Sequence, residues 1–254
     1  MKIVVLMKQV PDTEEGLSLD LSTGLLERQN GELVPDEINE RSLDVALSYK
    51  DSHKGTDVVV LSMGPDAAGK AVRKGLQVGA DSAVHIADPA LSGADALRTA
   101  TVLAAALNTM SFDLVIAGNA STDGSGGVVP AMISEILGLP LLGAVHSVRI
   151  TEESVAAERE EDGRRTSVHA AMPALISVTE RSAEPRFPSF KGIMSAKRKT
   201  VTTLSLADLS DVAASRSAVL AVAKRPARTA GVKIFDDGDA GLQLAAFLAS
   251  SQLI

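Results

Sequence analysis

Ten residues, GNASTDGSGG at positions 118–127, hold the densest potential for ligand chemistry in this chain. They follow the apolar run DLVIAG (113–118) and precede VVPAMISEILGLP, which closes in a helix-like pattern. A buried strand therefore runs into a loop of glycines and small hydroxyl residues, and then into a helix. In that geometry the free backbone N–H groups of a helix N-terminus receive a phosphate. Ser121, Thr122 and Ser125 add hydroxyl donors, and glycines let the main chain approach an anion closely. The loop is not a Walker A sequence, because no Gly-Lys-Ser/Thr follows, and it is not GxGxxG. A flexible strand-to-helix connection is the other reading of the same residues.

Other chemistry is sparse. His53, His85, His146 and His169 are scattered, without neighbours at metal-ligand or triad spacing, and read as structural or exposed. The acidic runs at Glu14–Glu15, Glu152–Glu153 and 158–162 sit in polar segments and read as solvated faces. Nothing resembles a nucleophile elbow. Cysteine is absent, which removes disulfides, thiolate nucleophiles and Cys-based metal sites together. A redox or transfer role for this chain therefore runs through a bound cofactor. The formal net charge of −7 argues against a general nucleic-acid binder. With no long apolar window and no signal-peptide pattern, the expected location is cytoplasmic, without membrane insertion.

The elements that must position the loop follow from the apolar pattern. At 254 residues the chain can bury a substantial core; apolar residues make up 45 % but aromatics only 2 %, so that core is built from Ala, Val, Leu and Ile. KIVVLMKQV (2–10), DVVVLSMG (57–64), SAVHIAD (82–88), DLVIAG and ALISVT (174–179) are dense in β-branched residues rather than alternating, as strands covered on both faces are. Helical patterns lie between them at 39–50, 66–78, 93–108 and 131–137. The alternation predicts an α/β fold with an open, mostly parallel, nucleotide-binding sheet. Ligands of such sheets sit outside the carboxyl ends of the strands, so residues 8–11, 62–65 and 118–127 are expected to share one rim around a nucleotide-sized crevice.

After Pro140 the texture changes. Residues 147–169 are charged and hairpin-like, with a turn signal at 160–163. The stretch 179–200 has two prolines, little periodicity and a basic close. Two of the five phenylalanines, Phe187 and Phe190, fall inside it. Scarce aromatics in an irregular loop suggest an interaction anchor; pinning of the loop to its own domain is the alternative. Expected boundaries are a nucleotide-binding domain over 1–200 and a C-terminal arm over 201–254, with a short helix at 241–250.

Taken together, the chain resembles the β subunit of electron transfer flavoprotein, the family that includes FixA-type proteins. The likeness rests on IVVLMKQVPDT (3–13), DEINERSLDVAL (36–47), SMGP (62–65), RKGLQVGAD (73–81), GNASTDGSGG, EPRFPSFKGIMSAKRK (184–199) and RTAGVK (228–233). It implies a Rossmann-like, adenine nucleotide α-hydrolase-like fold whose C-terminal extension packs on an α subunit. It also implies AMP bound by this chain and FAD held mainly by the α subunit. Electrons would come from acyl-CoA and other flavoprotein dehydrogenases and pass to a quinone oxidoreductase, with no catalytic residues supplied here. Carried over by position, the nucleotide contacts fall on Leu6, Asp36, Glu37, Ile38, Asn39 and Met63. They continue along Gly118, Asn119, Ala120, Ser121, Thr122, Asp123, Gly124, Ser125, Gly126, Gly127, Val128 and Val129. The partner-docking loop falls on 182–199, with Phe187, Phe190, Lys191, Ile193 and Met194 at the contact and Phe190 as the anchor. Better-studied members have Leu at the anchor and a nucleotide loop richer in Asp, Asn and Gln. In the bifurcating branch a second FAD takes the place of AMP. Two other classes compete: a stand-alone adenine-nucleotide-binding, stress-type module, and an adenylyl-transferring enzyme, which would need phosphate-loop Lys or Ser partners.

Overall fold

The computed structural model describes residues 1–254 except 29, 30, 229 and 232 and the side chain of Glu15. Thr229 and Val232 of the 228–233 match, and Glu15 of the Glu14–Glu15 pair, thus lie outside the described residues. The chain divides into two units, Met1–Ala221 and Val222–Ile254.

The first unit opens with β1 (Lys2–Leu6), β2 (Gln9–Pro11), β3 (Leu33–Pro35) and α1 (Glu37–Ser52). Next come β4 (Asp57–Met63), α2 (Gly69–Val78), β5 (Ser82–Ile86), α3 (Ala96–Asn108), β6 (Leu114–Gly118) and α4 (Val129–Leu137). It closes with β7 (Leu141–Val145), β8 (Ser147–Ile150), β9 (Ser154–Glu161), β10 (Arg164–Ala171), β11 (Ala174–Val178), α5 (Phe190–Ala196) and β12 (Val201–Leu204). Seven strands form one sheet in the order β12–β5–β4–β1–β6–β11–β7, and every pairing in it is parallel. The β-branched runs are buried on both faces, as the composition predicts. Ile3, Val5, Val58 and Val60 pack with Leu43 and Leu47 of α1 and Leu76 of α2. Val4, Val59 and Leu61 pack with Leu103 and Leu107 of α3 and Ile133 of α4 on the opposite face.

The strand order matters for function. From β1 the sheet grows through β4 and β5 on one side and through β6 and β11 on the other. The crossovers diverge between β1 and β6, the topological switch point, outside whose carboxyl ends ligands of such sheets bind. The ends of β1, β4 and β6 are neighbours on that rim, as expected.

Several expectations change in detail. The run 2–10 is not one strand: it breaks after Leu6, and β2 turns away to pair antiparallel with β3. Residues 147–171 form a three-stranded antiparallel sheet whose turn places Asp162 and Gly163 at φ 50° and 72°. The stretch read as irregular contains a helix, α5, whose first residue is Phe190; the Oγ of Ser189 accepts from the N–H of Gly192 and caps it. Val201–Leu204 had been assigned to the arm, yet it is the edge strand beside β5. Beyond it, Asp88 accepts from the Leu206 N–H and Asp95 from those of Arg216 and Ser217, so the chain stays on the first unit past residue 200.

The second unit contains α6 (Ala240–Ser250), and none of its described residues is buried. Leu242, Leu244 and Phe247 of that helix are exposed. No helix among the described residues is long and apolar enough to cross a membrane.

Candidate functional site

Three side-chain fastenings hold the rim where the loop after β6 begins. Asp36, fully buried, caps α1 by accepting from the Ile38 N–H at 3.0 Å. Its other oxygen accepts from the N–H and the hydroxyl of Thr122, at 2.8 and 3.1 Å. One carboxylate thus ends a helix and seats the loop. Asn39, one turn further, accepts from the Lys8 N–H at 2.7 Å and ties the end of β1 to the same helix. Gly118 is required there, because a Cβ would lie 2.6 Å from Asn39 Nδ2 and 3.0 Å from the Ile38 side chain.

The third fastening is ionic. The Asp123 carboxylate is 2 % exposed and lies 2.6 Å from Lys8 Nζ and 2.7 Å from an Arg28 nitrogen. Lys8 Nζ also donates to the Ser121 hydroxyl at 3.2 Å. Burial pushes the Asp123 pKa up, but the hydrogen bond and charge of Lys8, with the bonds from Ser121 and Arg28, outweigh it and hold the group at about 2. Asp123 is therefore ionised at neutral pH and the Lys8–Asp123–Arg28 cluster is closed.

Beyond Asp123 the loop changes character. Residues 124–128 are exposed. The Ser125 N–H donates to the Ser121 carbonyl at 2.8 Å, and Ser125 and Gly127 adopt φ 49° and 66°. α4 then starts at Val129 with no side-chain hydrogen bond on its cap residue, Val128, and with a proline in its first turn. Its first N–H groups are left without side-chain acceptors, which is the condition for anion binding at a helix start. A hollow of about 450 Å³ lies against this helix start, lined by Asn119, Gly127, Pro130, Ala131 and Ser177 together with the charged Arg159, Glu160 and Glu161. That size falls within the usual range for small-molecule sites. The Asn119 Oδ1 is buried without a hydrogen-bond partner among the described residues. The uncapped helix start fits a phosphate-bearing ligand.

The site residues expected from sequence divide into four groups. Asp36, Asn39, Ser121, Thr122 and Asp123 converge through the bonds above, with Ile38 packed beneath Gly118. Asn119, Ala120 and Gly127 line the hollow, while Gly124, Ser125, Gly126 and Val128 are exposed beside it. Leu6 and Met63 sit at strand ends with their side chains in the apolar layer on the α3 face, as does that of Val129. Glu37 pairs with Arg41 at 3.0 Å on the outside of α1. Lys8 lies in the 8–11 segment expected on this rim, whereas Arg28 is not among the expected residues; an isolated cation in a polar stretch carries no signal of the carboxylate it will meet.

The second candidate surface is the 182–199 segment. Phe187 and Phe190 are 92 % and 81 % exposed, and Lys191, Ile193 and Met194 are exposed on the same short helix. α5 rests on α2: a Cβ on Gly192 would lie 2.2 Å from the Gln77 carbonyl oxygen, so only glycine allows this approach. Arg73 donates to the Ala196 carbonyl, and Lys199 Nζ donates to the carbonyls of Leu76 and Ala80 at the end of α2.

Comparison with known proteins identifies this arrangement. The electron transfer flavoprotein domain matches residues 23–209. The chain is 46 % identical to the electron transfer flavoprotein subunit beta of Mycobacterium leprae, over 99 % of both chains. It is 32 % identical to the subunit of the same name from Syntrophomonas wolfei, over 93 % of this chain and 91 % of that one. It is also 34 % identical to the caffeyl-CoA reductase-Etf complex subunit CarD of Acetobacterium woodii, over 82 % of this chain and 80 % of the relative. With a glycine-rich loop seated at the switch point of its sheet and near full-length similarity, the chain belongs to the electron transfer flavoprotein β-subunit family.

Proposed function

We propose that this electron-carrier subunit binds AMP at the start of α4 and pairs with an α subunit that holds most of the FAD. The observation that carries the nucleotide reading is the uncapped start of α4 beside a hollow that Asn119, Ala120 and Gly127 of the loop help to line. The flavin supplies the redox chemistry of the complex. This chain holds the nucleotide, offers the 182–199 segment to a flavoprotein dehydrogenase such as an acyl-CoA dehydrogenase, and leaves the flavin's electrons to pass on to a quinone oxidoreductase. The C-terminal unit, with its exposed Leu242, Leu244 and Phe247, is the arm that packs on the α subunit. A cytoplasmic location goes with this role.

AMP has no redox chemistry in this range, so its contribution is to fill a polar crevice and stabilise the form that binds it. The resemblance leaves a second reading, FAD in place of AMP, for the same site. Equilibrium binding to nucleotide-stripped heterodimer tests both. AMP uptake at one per dimer, weakened by Asn119→Ala, is expected; uptake of FAD instead supports the second reading. AMP binding undisturbed by Asn119→Ala would move the nucleotide away from this hollow.

A further inference from the structure

The segment that carries Phe187 and Phe190 has no apolar anchorage of its own. From residue 179 to 195 no side chain is buried; Ala196 is the first. What fixes its conformation is polar, and most of that comes from the outer face of α1. Arg186 Nε donates to Asp44 Oδ1 at 2.5 Å, one terminal nitrogen to Asp51 Oδ2 at 2.8 Å, and the other to the Ser48 hydroxyl at 3.1 Å. Residues 44, 48 and 51 are four and three apart, so they form one stripe on the helix. One turn earlier, Arg41 donates to the carbonyls of Ser182 and Ala183 at 3.4 and 3.3 Å.

A planar guanidinium is suited to this arrangement, because its fork meets several acceptors at once, whereas an ammonium acts as a point charge. Asp44 is only 10 % exposed, so the pair is partly desolvated and stronger than an ordinary surface ion pair. Pro185 and Pro188 restrict the backbone on either side of Arg186 and Phe187. The exposed rings are therefore carried on a turn stiffened by prolines and clamped from behind, rather than on a loose loop.

We propose that Arg186 is a positioning residue for partner docking, bridging Asp44 and Asp51 so that Phe187 and Phe190 are presented in one conformation. This rests on the reading of 182–199 as the docking segment. A partner that meets an ordered aromatic pair avoids part of the cost of immobilising it on binding.

The test uses the heterodimer with an acyl-CoA dehydrogenase as electron donor. Three variants are compared: Arg186→Lys, the pair Arg186→Gln with Asp44→Asn, and Phe190→Ala. The double variant removes both charges, so no buried carboxylate is left unpaired if the single change destabilises the fold. Arg186→Lys and the double variant should each raise the KM for the dehydrogenase–carrier pair about tenfold. The kcat at saturation, reduction by dithionite and flavin content should stay as in the wild type. Amide exchange over residues 185–192 should accelerate selectively. Normal KM in both Arg186 variants while Phe190→Ala raises it would overturn the positioning role. Loss of flavin or of kcat in both Arg186 variants would overturn it in favour of a structural role. Normal transfer in Phe190→Ala would instead remove the docking reading beneath it.

Discussion

The 118–127 loop and the 182–199 segment both connect a sheet strand to a short helix, yet they are held in opposite ways. The first is sewn down through its own buried side chains: Thr122 to Asp36, and Asp123 to Lys8 and Arg28. What it leaves open is backbone, at residues 124–128 and at the start of α4. The second keeps its polar groups against α1 and α2 and leaves side chains open, the rings of Phe187 and Phe190. A surface of main-chain donors suits a phosphate, whose recognition is electrostatic and close-range. A surface of projecting aromatics suits a protein pocket, where apolar burial supplies the affinity. Each region buries what its ligand does not need and exposes what it does.

This contrast can be broken at the first anchor point. Asp36→Ala removes a helix cap, worth about 1 kcal/mol, and also leaves two Thr122 donors without their carboxylate acceptor. We expect a loss of about 3 kcal/mol in chemical denaturation together with loss of bound nucleotide. A loss under about 1 kcal/mol would show that the loop is seated by other contacts.

The docking side should respond without any change in stability. If Phe190 enters a pocket on the dehydrogenase, Phe190→Ala removes about 2–3 kcal/mol of apolar burial, or about 30- to 150-fold in docking affinity. With the ring 81 % exposed, the melting temperature of the dimer should barely move and dithionite should reduce the flavin normally. A destabilised dimer would assign the ring to the fold instead.

A third, smaller effect lies in acid. The Asp123 pKa is about 2 in the folded chain against an ordinary 3.8, so its ionised form contributes stability that is complete above about pH 4–5 and is lost as pH falls through about 2. Allowing for the partial exposure of Lys8 and Arg28, the contribution is about 1–2 kcal/mol. Wild type and Asp123→Asn should therefore converge in stability between pH 4 and pH 2; parallel curves would show that the cluster does not hold the loop.

The smallest effect on stability sharpens the contrast most. A Cβ at Gly126 meets nothing within 4 Å and its φ is not in the left-handed region, unlike that of Gly127. Gly126→Val should leave the nucleotide-free protein as stable as before while a bulky group obstructs approach to the loop. Nucleotide content should fall. Unchanged content would place the phosphate elsewhere.

Much of this was legible in the residues. Dense β-branched runs separated by helical periods are what a doubly covered parallel sheet requires, and the shared rim of β1, β4 and β6 followed from alternation alone. The helix at Phe190 was not readable, because its seven residues are too few for a period; a serine cap and the close approach of Gly192 to α2 create it. β12 was misassigned to the arm because its four residues, VTTL, gain strand character only from pairing with β5. The loop glycines announced a site, whereas Arg28 and Arg186 did not, since their partners lie 95 and 142 residues away in the chain.

The most direct measurement is co-purification of this chain with its α subunit, followed by release and identification of the bound nucleotides. The expected result is a one-to-one dimer with one FAD and one AMP, and a separately expressed β chain that carries no FAD through gel filtration. A β chain that keeps stoichiometric FAD by itself, or a dimer that releases two FAD and no AMP, would contradict it.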